Sequence, residues 1–304
     1  MAQCSCDEIL RSFGISPCSK QEFGSPSNII IFPTYQADGV TLNGLPITSG
    51  GITPEIWSAK LYNADVFQRF QSLNNLKELN IVAPTTAYKE YADKTKRRNG
   101  VESAGKVTAT VPIISFEFMR NFNSSGCVPL SMYIISDSGN IQGQVINGQF
   151  VGIPIDPQTL DAMYQYALKN QDTMEQINIS FDVDIDFKFE NLEILPASYI
   201  TANLKSRGVL DVDLEDNGTI VGTVKFKATL PYGNTHEKVK YTGLASDFVL
   251  KNSAGTIITT TDTTPEEGAY QMTGTIPSGE YTVSNALALA NGYNVHPFKI
   301  TVPA

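Results

Sequence analysis

Asp182, Asp184 and Asp186 occupy alternate positions, and three carboxylates so spaced call a calcium-binding loop to mind. Such a loop also needs a turn glycine and a distal bidentate glutamate, whereas these aspartates alternate with apolar residues as a strand would. A solvated acidic face, extended by Glu190, is the expected role. Catalysis has little to work with, because neither His236 nor His296 has a nucleophile motif beside it. Asp and Glu are plentiful, but no spacing selects two of them for hydrolysis. The glycines are scattered as turn residues, so no phosphate-cradling loop is present.

Cys4, Cys6, Cys18 and Cys127 are too sparse for the disulfide framework of a secreted protein. Cys4-x-Cys6 with Cys18 lacks the wider pair spacing and the fourth ligand of ordinary zinc sites, so reduced, unligated thiols are expected. No metal and no cofactor is called for. A different chemistry lies between residues 89 and 106, where Lys89, Lys94, Lys96, Arg97, Arg98 and Lys106 oppose Glu90, Asp93 and Glu102 for a net charge of +3. The plain role is a solvated loop; the sharper one is contact with an acidic surface, since complementary charge fixes register between repeated subunits.

The elements that must carry these residues are mostly strands. The 304 residues are 41% hydrophobic and 17% charged, enough to bury a sizeable core and to divide into two domains. Turn-forming Gly and Pro with many Tyr and Phe fit strands joined by tight turns. A net charge of -9 argues against gripping nucleic acid from outside, which depends on lysines and arginines neutralising phosphates. No apolar run approaches the roughly 20 residues that span a bilayer. Met1 to Asp7 lacks the order of a signal peptide, so a chain made in the cytosol without membrane insertion is expected.

Residues 1–28 read as an N-terminal arm, and Ile29-Ile30-Ile31-Phe32 opens the ordered part. Thr53-Pro54-Glu55 predicts a helix, with a capping hydroxyl and proline at N1, running to about Leu73. A strand at Leu79–Ala83 leads to the charged stretch, read as a long hairpin holding Asn99-Gly100, and a strand from Val107 to Phe118 follows with Pro112 at a bulge or edge. Ser131–Ile135 and Ile141–Ile146 predict a hairpin about Asp137-Ser138-Gly139-Asn140, with a short third strand at Phe150–Ile153. Asp156-Pro157 predicts a second helix with Leu160, Met163, Tyr164, Ala167 and Leu168 on one face. From Ile179 to Glu190 strict alternation predicts one long strand with a buried face and an acidic face, and Leu210–Glu215 repeats the design.

Beyond Asp216-Asn217-Gly218 about seven short strands follow at regular spacing, which suggests an immunoglobulin-like sandwich without the Cys pair and core Trp of antibody domains. Tyr232, Tyr241, Tyr270 and Tyr293 lie in this part and are the residues a carbohydrate-binding surface would use.

This order of arm, strands, long charged hairpin, helix and closing pair of acidic strands, followed by a sandwich, resembles the tail tube (major tail) proteins of long-tailed bacteriophages. Tyr88-Lys89-Glu90-Tyr91-Ala92-Asp93 and Asn99-Gly100-Val101-Glu102-Ser103 resemble that family's long hairpin. The resemblance is one of layout. It implies a mainly β protein, with a tail-tube-like sandwich or barrel domain with one or two helices at residues 29–215 and an immunoglobulin-like sandwich at 216–304. It also implies hexameric rings stacked into a tube, other tail proteins as partners, and a place in the virion tail after assembly in the host cytoplasm. Asp182, Asp184, Asp186 and Glu190 would then face the lumen, where like charge lets viral DNA pass without binding. Lys94, Lys96, Arg97 and Arg98 would contact the next ring. The alternative is a capsid- or surface-decorating adhesive protein whose sandwich binds carbohydrate.

Overall fold

Ile29-Ile30-Ile31-Phe32 and Met132-Tyr133-Ile134-Ile135 are uninterrupted apolar runs, which suit strands covered on both faces. A computed structural model describes residues 23–47, 50–74, 76–84, 86–90, 94, 96–102, 104–112, 116–165, 176–233 and 238–304. Strands account for 49% of it, so the protein is mainly β. Among the described residues no helix is long and apolar enough to cross a membrane.

Strands β1 (Pro26–Pro33), β2 (Gly44–Pro46), β3 (Gln71–Leu73) and β4 (Lys77–Val82) come first, with helix α1 (Pro54–Leu61) after the second of them. Strands β5 (Thr86–Glu90) and β6 (Lys96–Glu102) pair as the charged hairpin, and β7 (Lys106–Val111) precedes helix α2 (Phe116–Ser124). Next come β8 (Leu130–Ser136), β9 (Ile141–Ile146), β10 (Gln149–Val151), β11 (Ile153–Ile155), β12 (Asp161–Gln165), β13 (Gln176–Asp182) and β14 (Glu193–Leu195).

The central sheet has the order β2-β10-β9-β8-β1-β3, and β8 is buried along its whole length. Side chains of β1 and β8 alternate between two cores. Ile29, Ile31, Met132 and Ile134 meet Val107, Ala109, Ile177, Ile179 and Phe181 from a second sheet, ordered β12-β13-β7-β4. Ile30, Phe32, Tyr133 and Ile135 meet Trp57 and Leu61 of α1 together with Phe70 and Phe150. The result is three layers, with β1 and β8 of the middle one covered on both faces.

The C-terminal strands are β15 (Leu210–Asp216), β16 (Thr223–Gly233), β17 (Lys238–Lys240), β18 (Phe248–Asn252), β19 (Ile257–Ile258) and β20 (Thr261–Glu266). They continue with β21 (Ala269–Thr273), β22 (Gly279–Asn285), β23 (Tyr293–Val295) and β24 (Phe298–Val302). One sheet runs β20-β21-β16-β15-β23 and the other β19-β18-β22-β24. Read in chain order, this is the D-E-B-A and C′-C-F-G arrangement of an immunoglobulin-like sandwich. Tyr281 on β22 donates its hydroxyl to the carbonyl of Pro277 four residues upstream at 2.9 Å, as the tyrosine corner of that fold does.

Three local expectations are corrected. α1 starts as read, with Thr53 Oγ1 accepting from Ile56 N–H, but stops at Leu61 instead of near Leu73. Beyond it the Asn63 and Asp65 side chains accept from the backbone N–H groups of Asp65 and Phe67, a local alternative to the helical ladder. Asp156-Pro157 caps only a single 3-10 turn, Pro157–Thr159, after which residues 161–165 pair with β13 as a strand; sheet pairing overrides the helical spacing, and Ala167 and Leu168 lie outside the described residues. The strand expected to reach Phe118 ends at Val111 before Pro112, and the second helix is Phe116–Ser124, with Phe118, Met119 and Phe122 against the core. The charged stretch does pair as a hairpin: Asn99-Gly100 lies inside β6, where the register shift absorbs it as a bulge, which fixes the turn around Lys94.

The domain boundary also moves. Leu210–Asp216 does not pair with the 179–190 segment: β15 is antiparallel to β16 and parallel to β23, and Val212 and Leu214 belong to the sandwich core. Residues 23–28 of the arm include the start of β1, while residues 1–22 lie outside the described residues.

Candidate assembly surface

The β12-β13-β7-β4 sheet turns one face to the core and the other to solvent. Three rows of side chains cross the outer face. Val82, Lys106 and Asp182 are in register at one end; Asn80, Thr108, Ser180 and Asp161 form the middle row; Lys77, Thr110, Asn178 and Met163 form the third. Neutral hydrogen-bonding groups dominate. Gln176 Nε2 donates to Gln165 Oε1 (3.0 Å) and Asn178 Oδ1 (3.2 Å), Asn178 Nδ2 donates to Gln165 Oε1 (2.8 Å), and Thr110 Oγ1 donates to Asn178 Oδ1 (3.2 Å).

The expected acidic ribbon from Ile179 to Glu190 is therefore only half a ribbon. β13 ends at Asp182, and Val183 is held across the end of the sheet, donating its N–H to Gly105 C=O at 2.7 Å and bridging Ile155. Asp184 then starts a turn, its Oδ1 accepting from Asp186 N–H at 2.9 Å and its backbone carbonyl accepting from Phe187 N–H. A carboxylate that binds its own backbone two residues on competes with the ladder and ends the strand. Ile185, placed by alternation on the buried face, is 63% exposed. Phe187 and Phe189 pack edge to face, 5.4 Å apart, against the core.

Asp182 is thus the one member of the expected acidic set on the outer sheet face, half-buried beside Lys106. Asp184 is half-buried in the turn, and Asp186 and Glu190 are exposed beyond it. Asp184, Asp186, Lys188, Gln144 and Asn191 line a shallow cleft of about 240 Å³. The charged hairpin leaves the same end of the sheet, after Val82, and returns at Lys106. Gly105 sits at its root because the Phe189 ring covers that position: a Cβ there would lie 2.7 Å from Phe189 Cζ. Lys94 is exposed at the hairpin turn with φ 63°, and Lys96, Arg97 and Arg98 face Glu90, Lys89 and Tyr88 across the hairpin backbone.

Sequence and family comparisons add no assignment. No protein-family model matches the chain, and no curated protein matches it.

Among the described residues, no three His, Cys, Asp or Glu side chains converge as metal ligands. Cys127 is a free, exposed thiol; Cys4, Cys6 and Cys18 lie outside the described residues, as does His236. His296 Nε2 stands 3.3 Å from Asp211 Oδ1 on the surface of the sandwich. Of the tyrosines proposed for carbohydrate, Tyr241 and Tyr270 are buried and Tyr293 is half-buried against Tyr241. Their hydroxyls are engaged inside as well: Tyr241 donates to Asp247 Oδ2 and Tyr270 to the carbonyls of Tyr241 and Gly243. Tyr232 lies on β16, and nothing further is placed around it.

The two units meet at a polar seam. Tyr62 donates to Arg207 C=O, and Arg207 stands over the Tyr293 ring. Glu117, in the first turn of α2, faces Asp213 and Asp211; partial burial first, and then these like charges, raise its pKa, while Arg120 and His296 oppose the shift.

One residue that sequence reasoning passed over lies at the border of the outer sheet. Asn123, near the end of α2, binds both backbone groups of Ala162 on β12. Nothing in its own neighbourhood marks it, since the two residues are 39 positions apart and only the fold brings them together.

Proposed function

We propose that the chain is a structural subunit of a bacteriophage tail tube, which assembles into stacked rings that form the conduit for DNA. The observation that supports this reading is the β12-β13-β7-β4 sheet. It has a hydrogen-bonding outer face, and its four strands are antiparallel throughout, so β12 and β4 run in opposite directions. Copies set side by side in one orientation would then continue the antiparallel pattern from β12 of one to β4 of the next. A heterologous contact of this kind closes into a ring when its rotation permits, and a closed ring of sheets has no edge left.

In such a ring the bore would be lined by Thr108, Asn178, Ser180 and Asp182, with Lys106 beside the last. Asp184, Asp186 and Glu190 would sit on the rim next to the charged hairpin, and Lys94, Lys96, Arg97 and Arg98 would reach the next ring. A lining of hydroxyls and amides with few cations suits DNA in transit, because tight binding to phosphate needs lysines and arginines. The immunoglobulin-like unit would decorate the outside.

The test is negative-stain electron microscopy of the purified full chain over a concentration series. Rings or tubes are expected, and reversing Lys94, Lys96, Arg97 and Arg98 to Glu should leave rings but abolish stacking, with high salt acting in the same direction. A monomer at all concentrations and ionic strengths would overturn the reading.

A further inference from the structure

We propose that helix α2 guards the outer edge of β12 and that Asn123 is its latch, holding the edge shut against a strand of a second copy of this chain.

Ala162 N–H donates to Asn123 Oδ1 at 2.7 Å, and Asn123 Nδ2 donates to Ala162 C=O at 3.2 Å. This donor–acceptor pair is what one residue of a neighbouring antiparallel strand exchanges with its partner, and a primary amide carries both halves in one plane. Alternation along the ladder then places the inward bonds to β13 on Asp161, Met163 and Gln165, with the Ala162 N–H and C=O pointing away from β13 while its side chain stays in the core. The Asn123 side chain therefore stands where the next strand would stand, one residue wide.

The rest of α2 fits a cover. It is anchored by Phe122, 8% exposed and 6.3 Å from the Phe181 ring, while Phe116 at its start is 55% exposed and lies tilted against Tyr164 of the same edge strand at 5.4 Å. The helix is held at one end by the core and at the other by an aromatic contact still open to water.

The occupant is a second copy because the order of the sheet suits one. β12 and β4 are its terminal strands, similar in length and opposite in direction, so β4 of another copy can continue the sheet where Asn123 now sits. Exposed edges are managed in folded proteins by covers of this sort, and a cover that meets the edge backbone through one side chain, Asn123, gives up only those two bonds when the matching edge arrives. This inference rests on the self-assembly reading for its occupant only.

The experiment compares Asn123→Ala with Asn123→Asp in the full chain, by sedimentation velocity over a dilution series and by thermal melting. Both variants lose bonds to Ala162 and should melt lower than the parent. Alanine bares the edge, whereas aspartate leaves an acceptor for Ala162 N–H and sets a charge beside the edge, a device that discourages strand pairing. Asn123→Ala should self-associate at concentrations at least tenfold lower than the parent, and Asn123→Asp should not. Equal behaviour of the two variants, whether both associate or neither does, would overturn the latch. Should either variant fail to fold, hydrogen exchange on the parent decides: a guarded edge keeps the Ala162 amide protected in the dilute monomer, and rapid exchange there rules the latch out. Absence of rings from the parent would sink the tube reading while leaving this comparison intact.

Discussion

The two units treat the borders of their sheets differently. In the C-terminal sandwich three of the four terminal strands are short or broken: β19 has two residues, β23 has three, and β20 carries Pro265 at a register shift, while β24 is an unbroken five-residue strand. Short or interrupted edges of this kind discourage pairing with a further strand. In the N-terminal unit the outer sheet ends on β12, an unbroken five-residue ladder in which the outward N–H and C=O of Ala162 are covered by the side chain of Asn123. The contrast is that most sandwich edges are interrupted in their own backbone, whereas the β12 edge is covered by a helix laid against it.

Interior contents differ as well. Aromatic rings pack both cores; in the N-terminal unit the buried Tyr133 hydroxyl donates to a single backbone carbonyl, that of Phe150, whereas the sandwich gathers its buried polar groups around a carboxylate. Asp247, 1% exposed, accepts from Tyr241 Oη at 2.6 Å, Leu244 N–H at 2.7 Å and Asn291 Nδ2 at 2.9 Å.

The largest effects should come from emptying each core. Phe32→Ala, which removes a fully buried ring 4.4 Å from Phe70 and 4.8 Å from Tyr133, should cost about 3–5 kcal/mol. Phe226→Ala in the sandwich should cost about the same. If the units fold separately, calorimetry will show each change moving its own transition; a single shared transition would erase the contrast drawn above. Next, Asp247→Ala strands three donors and should destabilise the sandwich by about 3 kcal/mol in denaturant titration, with the N-terminal unit unmoved.

Tyr281→Phe is a smaller probe. It deletes only the bond to Pro277 C=O and should cost about 1 kcal/mol, again confined to the sandwich. Smallest is the seam. The Glu117 pKa lies above its ordinary value, through burial and then Asp213, so its ionisation opposes the folded arrangement. The stability this group contributes is present while it is protonated and is lost as pH rises through its folded pKa. Glu117→Gln should therefore raise the melting temperature slightly at neutral pH, with the gain vanishing below about pH 4. An equal gain at both pH values would show that charge is not the cause.

Much of this architecture was legible in residue order. The hairpin about Asp137-Ser138-Gly139-Asn140 forms as its residues require, with Gly139 at φ 87°, and Thr53 caps its helix. The apolar runs of β1 and β8 mark the doubly covered layer, and turn spacing marks the sandwich. These are local signals, carried by residues that sit within a few positions of each other.

The rest needed contacts across long stretches of chain. Periodicity read residues 160–168 as helical, yet β13 draws Asp161–Gln165 into a strand. The alternation around Asp182 is genuine, but whether Asp184 continues it depends on Pro154 and Gly105, which receive the backbone N–H groups of Asp184 and Val183. Leu210–Asp216 looks like a partner for that segment and belongs to the other unit because its apolar face fits the core formed with Val224, Phe226 and Val295. Composition and spacing determined that this protein is built of strands and where most of them begin. Which strand lies beside which, where the acidic run stops, and what covers the β12 edge were decided only in three dimensions, because a strand bonds sideways to residues that its own sequence does not name.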